Sequence, residues 1–329
     1  MTSPAQPSPF PARVPWISVA AFVVIAFGLA WLIALPLWLS GRGLATPGAT
    51  FLIAGMMYAP AAAALIVAFF IQRPRPRPLP EYLGLWPLRP LKRVIGMTLV
   101  GVFGSMLLVI AGVFISAAFG LVHLDLVHFS GFQRVLEVSS HGRPIPVPVG
   151  LLVLIQLLSL PFGALFNAFA TIGEELGWRG WLLPSLRPLG TWPALVITGA
   201  VWGLWHSPVI LLGYNFAQPN AFGVLMMVGG CVFLGILFGW LRLRSGSLWP
   251  SVFAHAGFNA AGGFLALVAA AGTTASPVLV GPLGLVPWAV AAVIIVVLAL
   301  TGQFRKQPRL LRKKPLQEWA PPTGAPASR

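Results

Sequence analysis

Gly173-Glu174-Glu175-Leu176-Gly177-Trp178-Arg179-Gly180 closes a long apolar run, and its two adjacent carboxylates decide how the chain is read. The whole sequence has six acidic residues, Glu81, Asp125, Glu137, Glu174, Glu175 and Glu318. An ionised carboxylate at membrane depth costs about 2.5–3.5 kcal/mol on insertion scales, so such residues usually mark function. On a helix, Glu175 and Arg179 lie one turn apart and can pair. Glu174 points about 100° away from Glu175, so both cannot face that arginine. One carboxylate is thereby assigned to structure and the other is left free to work.

The surrounding composition is that of a membrane protein. Of 329 residues, 57% are hydrophobic and 8% charged, against about 25% charged in soluble domains. Cys231 is the single cysteine and stands in an apolar run. It excludes an intrachain disulfide and a cysteine-based metal site, and reads as a small core residue.

Eight apolar runs follow a Pro-, Ser- and Ala-rich leader at residues 1–15, expected to be disordered. They cover about Trp16 to Leu39, Thr50 to Ile71, Val94 to Phe119, Val149 to Thr171, Trp192 to Leu212, Phe222 to Leu241, Leu248 to Ala270 and Leu283 to Leu300. Each is long enough to be read as a span, and the first is too long for a signal-peptide core. The predicted fold class is therefore all-α: a polytopic helical bundle of about eight transmembrane helices over residues 16–301, with a basic tail at 302–329. A basic linker containing Arg73-Pro74-Arg75-Pro76-Arg77-Pro78 joins the second and third runs and is expected to be extended. No internal repeat stands out, which weakens a repeat-built transporter.

The formal net charge of +15 would point to nucleic acid in a soluble protein, but its distribution gives another account. An even number of spans puts both termini on one side. With that side cytoplasmic, it collects all of the 21 basic residues except Arg42, Arg134 and Arg143. This is the positive-inside pattern. Both termini are expected to be cytoplasmic, with anionic lipid at that face as the partner and no nucleic acid. Small residues in the seventh run (Ala254, Ala256, Gly257, Ala260, Ala261, Gly262, Gly263) imply close helix packing.

Few ionisable groups remain inside the runs: Glu174 and Glu175 in the fourth, His206 in the fifth and His255 in the seventh. Asn259 shares a helical face with His255, and Pro208 should break the fifth helix just past His206. By helical rise, His255 lies about 10 Å and His206 about 20 Å from the inner ends of their runs. With Glu174 near the inner end of its own run, the expected site lies in the inner half of the bilayer and opens to the cytoplasm. A desolvated glutamate can act as general base toward water, while His and Asn donate to an oxyanion. The same Glu174, His206 and His255 could instead hold zinc with an open water position. The loop residues His123, His128, His141 and Asp125 read as solvated, although His123 and Asp125 could also bind a metal.

The order Glu174-Glu175-x-x-x-Arg179, Trp202-x-x-x-His206 and His255-x-x-x-Asn259 resembles the three-motif signature of the CPBP family. These are the CaaX-type prenyl endopeptidases and the bacterial Abi intramembrane proteases, and the resemblance covers about residues 150–265. The second motif departs, since the family usually has Phe where this chain has Trp202. The resemblance implies an intramembrane endopeptidase. In it Glu174 would activate water with help from His206, His255 and Asn259 would stabilise the oxyanion, and Glu175 with Arg179 would hold the helix end. The family is commonly labelled metalloprotease, yet its architecture also supports a metal-free glutamate mechanism, so the cofactor is either zinc or none.

The expected partner is a membrane protein or peptide substrate. The excess of Arg over Lys, with abundant Ala, Gly and Pro, points to a bacterial plasma membrane. Two other classes remain: a proton-coupled carrier using Glu174, His206 and His255 as a relay, and a non-catalytic scaffold or immunity protein.

Overall fold

The computed structural model describes residues 11–72, 79–143 and 146–307. The leader up to residue 10, the Arg-Pro repeat at 73–78 and the tail from residue 308 lie outside the described residues. Apart from one isolated antiparallel bridge between Leu124 and Ala269, the described elements are helices. Seven helical stretches are long and apolar enough to cross a membrane. The remaining run, the fifth, is present as two shorter helices broken at His206, α9 (Thr191–Trp205) and α10 (Ser207–Ile210). The protein is a polytopic helical membrane protein.

The long elements alternate in direction. α1 (Trp16–Leu39) is followed by α2 (Ala49–Met56) and α3 (Ala59–Ile66), which continues as a π turn at Val67–Ile71. A short α4 (Leu79–Leu83) precedes α5 (Leu91–Ala118), and α6 (Ser130–Ser139) lies in the long loop before α7 (Val149–Glu175). α7 continues through a π segment, Leu176–Leu182, into α8 (Leu183–Leu186). After α9 and α10 come α11 (Ala221–Ser245), α12 (Trp249–Ala261), α13 (Phe264–Val268), α14 (Pro277–Val280) and α15 (Leu285–Leu300).

Local chemistry sets the boundaries. The Asn220 side chain caps α11 by accepting from the Gly223 amide at 3.1 Å. Gly246, at φ 77°, ends that helix in the left-handed conformation that glycine adopts most easily. Pro208 has no amide hydrogen to continue α9, which stops at Trp205 as the sequence led us to expect.

Alternation divides the bundle into two ends, each tied together by its own contacts. At one end Trp38 donates its indole N–H to the Pro208 carbonyl at 2.9 Å, and the Ala270 amide bonds the His123 carbonyl at 2.9 Å. At the other, the Leu248 amide bonds the Gly84 carbonyl at 2.8 Å, and Arg187 bonds Gln307 at 2.8 Å. Arg89, Lys92, Arg93, Arg244, Arg305 and Lys306 belong to this second end.

Small residues let the central helices touch backbone to backbone. A Cβ on Gly203 of α9 would collide with Val228 Cα of α11, and one on Gly257 of α12 would lie 2.7 Å from the Val102 carbonyl oxygen of α5. The expected close packing of the seventh run is thus made by Gly257 and by Ala254, which faces Gly101. Gly263 faces open space instead. These tight pairs hold α5, α7, α9, α11 and α12 as the frame of the polar residues.

Candidate active site

The adjacent glutamates separate as their helical spacing demands. Glu175 is fully buried, with Oε1 accepting from Arg179 at 2.8 Å and facing His255 Nδ1 at 3.1 Å. Glu174, 2% exposed, turns the other way and accepts the Trp202 indole N–H at 2.6 Å. It makes no ion pair among the described residues and lines a cavity of about 560 Å³. The tied carboxylate is structural and the free one faces the cavity.

Arg179 is held on its faces as well as its edges. Its guanidinium carbon lies 4.2 Å from the Trp202 ring centroid and 5.4 Å from that of Phe238. Such cation–π contacts strengthen when water is excluded. Arg242, also buried, donates to the Arg179 carbonyl at 3.2 Å and the Tyr82 carbonyl at 2.9 Å, pinning the π segment from below. Tyr82 itself, outside the spans, is pushed up to about pKa 12, chiefly by burial.

Hydrogen bonds fix the tautomers of both histidines. His206 Nδ1 lies 2.9 Å from the Trp202 carbonyl, which can only accept, so Nδ1 carries a proton and a neutral ring keeps its lone pair on Nε2. His255 Nδ1 faces the Glu175 carboxylate, which likewise assigns it a proton. His255 stacks on Phe238, with centroids 5.7 Å apart, and meets Trp202 edge-on at 5.3 Å. Both histidines and Asn259 line the cavity beside Glu174. The Asn259 carboxamide is exposed and makes no hydrogen bond among the described residues.

The four proposed catalytic residues therefore share one cavity; of the three supporting residues Trp202 also lines it, while Glu175 and Arg179 are fully buried behind it. Sequence reasoning missed further members of the lining: Asn167, one face of α7 above Glu174, and Tyr214 and Asn215 in the loop after α10. Cys231 also borders the cavity and is not only a core filler. Trp202 does more than supply an aromatic wall. Its indole N–H holds Glu174, which a phenylalanine could not do.

Two expectations are corrected. Glu174 is not near the inner end of its helix, because the π segment and α8 extend that helix to Leu186. Nor does the cavity draw on the end that carries the basic linkers. Its rim comes from Thr50, the Tyr214–Phe216 turn, Pro277 and Gly281–Leu283, all at the opposite end. An apolar run ends where polar residues begin, and here the helix passes through them.

The donor geometry does not fit a metal centre. Among the described residues no three His, Cys, Asp or Glu side chains come together in a way that could hold an ion. The three candidates Glu174, His206 and His255 line the cavity without forming such a cluster. Asp125 is already engaged. The Ser130 side chain, then the amides of His128, Ser130 and Val127, hold its carboxyl well below the usual carboxylate range. It shapes its own exposed loop.

Residues 156–261 match the family model of type II CAAX prenyl endopeptidase Rce1-like proteins. The match runs from α7 to the end of α12 and contains all seven motif residues. The matched segment of the membrane core is similar to this family, in agreement with the motif resemblance. No curated protein matches the chain.

The Trp202–Glu174 contact carries a prediction. A hydrogen bond to a charged group is worth about 1.5–3 kcal/mol. Trp202→Phe keeps a ring over Arg179 but removes the donor. We expect folded protein, kcat lowered about tenfold or more, and KM little changed. Steady-state cleavage assays on purified wild type and variant check this.

Proposed function

We propose that the chain hydrolyses peptide bonds of membrane-associated protein or peptide substrates with a water activated by Glu174. The observation that carries this reading is the division of labour between neighbours. Glu175 is paired with Arg179 and hydrogen-bonded to His255, whereas Glu174 is a buried carboxylate that opens on a cavity.

The chemistry follows from the positions. Water bound between Glu174 and His206 Nε2 loses a proton to Glu174 as its oxygen attacks the scissile carbonyl carbon. The carbonyl π electrons move onto oxygen, where His255 and the Asn259 amide group donate hydrogen bonds. Glu174 then returns the proton to the leaving nitrogen as the C–N bond breaks, as microscopic reversibility allows. Trp202 aims the carboxylate throughout. No step passes through a metal, because the donor set offers no site for one. A chelator should accordingly leave the cleavage rate of purified protein unchanged, and a loss restored by added zinc would overturn that part.

The layer beneath Glu174 also bears on the carrier reading. Glu175, Trp178, Arg179 and Arg242 are all buried there, with at most 2% exposure. A packed layer favours a reaction chamber over a path through the bundle. The deciding experiment compares membrane proteomes of cells carrying wild type or Glu174→Ala, reading protein termini. New ends that vanish in the variant establish proteolysis and name the substrate. Unchanged termini with the variant folded and present would remove this reading and favour a scaffold or carrier.

A further inference from the structure

The cavity and the positive charge lie at opposite ends of the bundle. Its rim residues Thr50, Asn215 and Pro277 begin or join helices at the end that carries the loops 40–48, 211–220 and 269–284. Among the described residues the basic side chains gather at the other end, with only Arg42, Arg134 and Arg143 on the cavity side. The positive-inside rule fixes the basic end in the cytoplasm. The glutamate pair lies between the two ends, with Glu175 meeting His255 six residues from the start of α12. Gly173 packs against the Met57 carbonyl at 2.7 Å, measured from an ideal Cβ, part-way along the helical segment that Thr50 begins. On the cytoplasmic side of that level stand Arg179 and Arg242, both buried.

We infer that the chamber opens on the extracytoplasmic side and takes an uncharged, apolar segment of an exported or outward-facing polypeptide. The claim rests on the peptide hydrolysis proposed above and adds the direction of approach and the substrate class. The lining supports the chemistry. Met56, Met227, Phe216 and Phe258 supply apolar wall, while Asn167 and Asn215 offer amide groups for a peptide backbone. Among the described residues, Glu174 and the two histidines apart, neither Lys, Arg nor a second carboxylate borders the cavity. A charged cytoplasmic tail would find no counter-ion there. An apolar segment with its amides unpaired would find both kinds of partner.

Impermeant thiol labelling tests the direction without reference to catalysis. In a Cys231→Ser background, Thr50→Cys and Ser276→Cys place single thiols at exposed positions by the rim, and Lys306→Cys places one at the basic end. Intact cells expressing the full chain are treated with a membrane-impermeant maleimide, before or after permeabilisation. We expect the two rim thiols to label in intact cells and Lys306→Cys to label only once the cells are opened. The reverse pattern, or labelling of all three in intact cells, would overturn the proposed direction. The second arm locates the termini that disappear in Glu174→Ala cells. Their position in exported or outward segments supports the substrate class, and their position in cytoplasmic segments overturns it. If no terminus changes, peptide hydrolysis fails while the labelling still decides which way the chamber faces.

Discussion

Glu174→Gln should lower kcat/KM by about 10²–10⁴, the range over which a positioned general base contributes, while leaving a folded protein. The substitution is nearly isosteric, and the glutamine carbonyl can still accept the Trp202 N–H that the carboxylate accepts at 2.6 Å. Packing at this 2% exposed position is therefore preserved, and only the ability to take a proton is lost. Most of the loss should appear in kcat, because the side chain contributes to the transition state and little to holding the substrate. Glu175→Gln makes an instructive partner. It also removes one carboxylate, but it leaves the Arg179 cation buried without its counter-ion, so its effect should appear first as loss of folded protein. Thermal stability in detergent, measured beside the cleavage rate, separates the two. Equal activity losses with equal stability losses in both variants would contradict the division of roles.

That division was legible from the sequence because it depends on helical periodicity alone. So was the break after His206, since Pro208 imposes it wherever the helix lies. What could not be read were contacts between helices. His255 meets Glu175 across 80 residues of chain, and nothing in local spacing says which neighbouring carboxylate a histidine will face. Trp202 was recognised as a ring and not as a donor, because the partner of its N–H sits on another helix. Asn167 and Asn215 are ordinary polar residues until the bundle brings them to one cavity. The helix that carries Glu174 was expected to end there for a physical reason. Arg179 satisfies Glu175 and stacks on Trp202, so charged residues that end the hydropathy run are themselves buried and the helix continues past them. The fifth run shows the converse: its composition marks a span, yet the helix within it is too short to cross without the turn at His206 and the second piece, α10.

Arg179→Met should be the most damaging single change to folding, at about 3–5 kcal/mol, because it strands a buried carboxylate. Glu175 has no exposure and its Oε2 already lacks a hydrogen-bond partner, so water cannot replace the lost cation without opening the core. Purified protein should be scarce and should melt early. The double variant Glu175→Gln with Arg179→Met removes both charges together. Replacing a whole buried ion pair by neutral groups of similar volume is often close to neutral for stability, and methionine can still fill the space between Trp202 and Phe238. Folding should then recover. Activity should recover less, because a neutral amide no longer compels His255 to carry its proton on Nδ1, and Nε2 loses its fixed character toward the cavity. A folded double variant with wild-type kcat would mean that the pair is scaffolding alone. A folded double variant that stays slow would mean that Glu175 also orients His255, through the 3.1 Å contact that joins them.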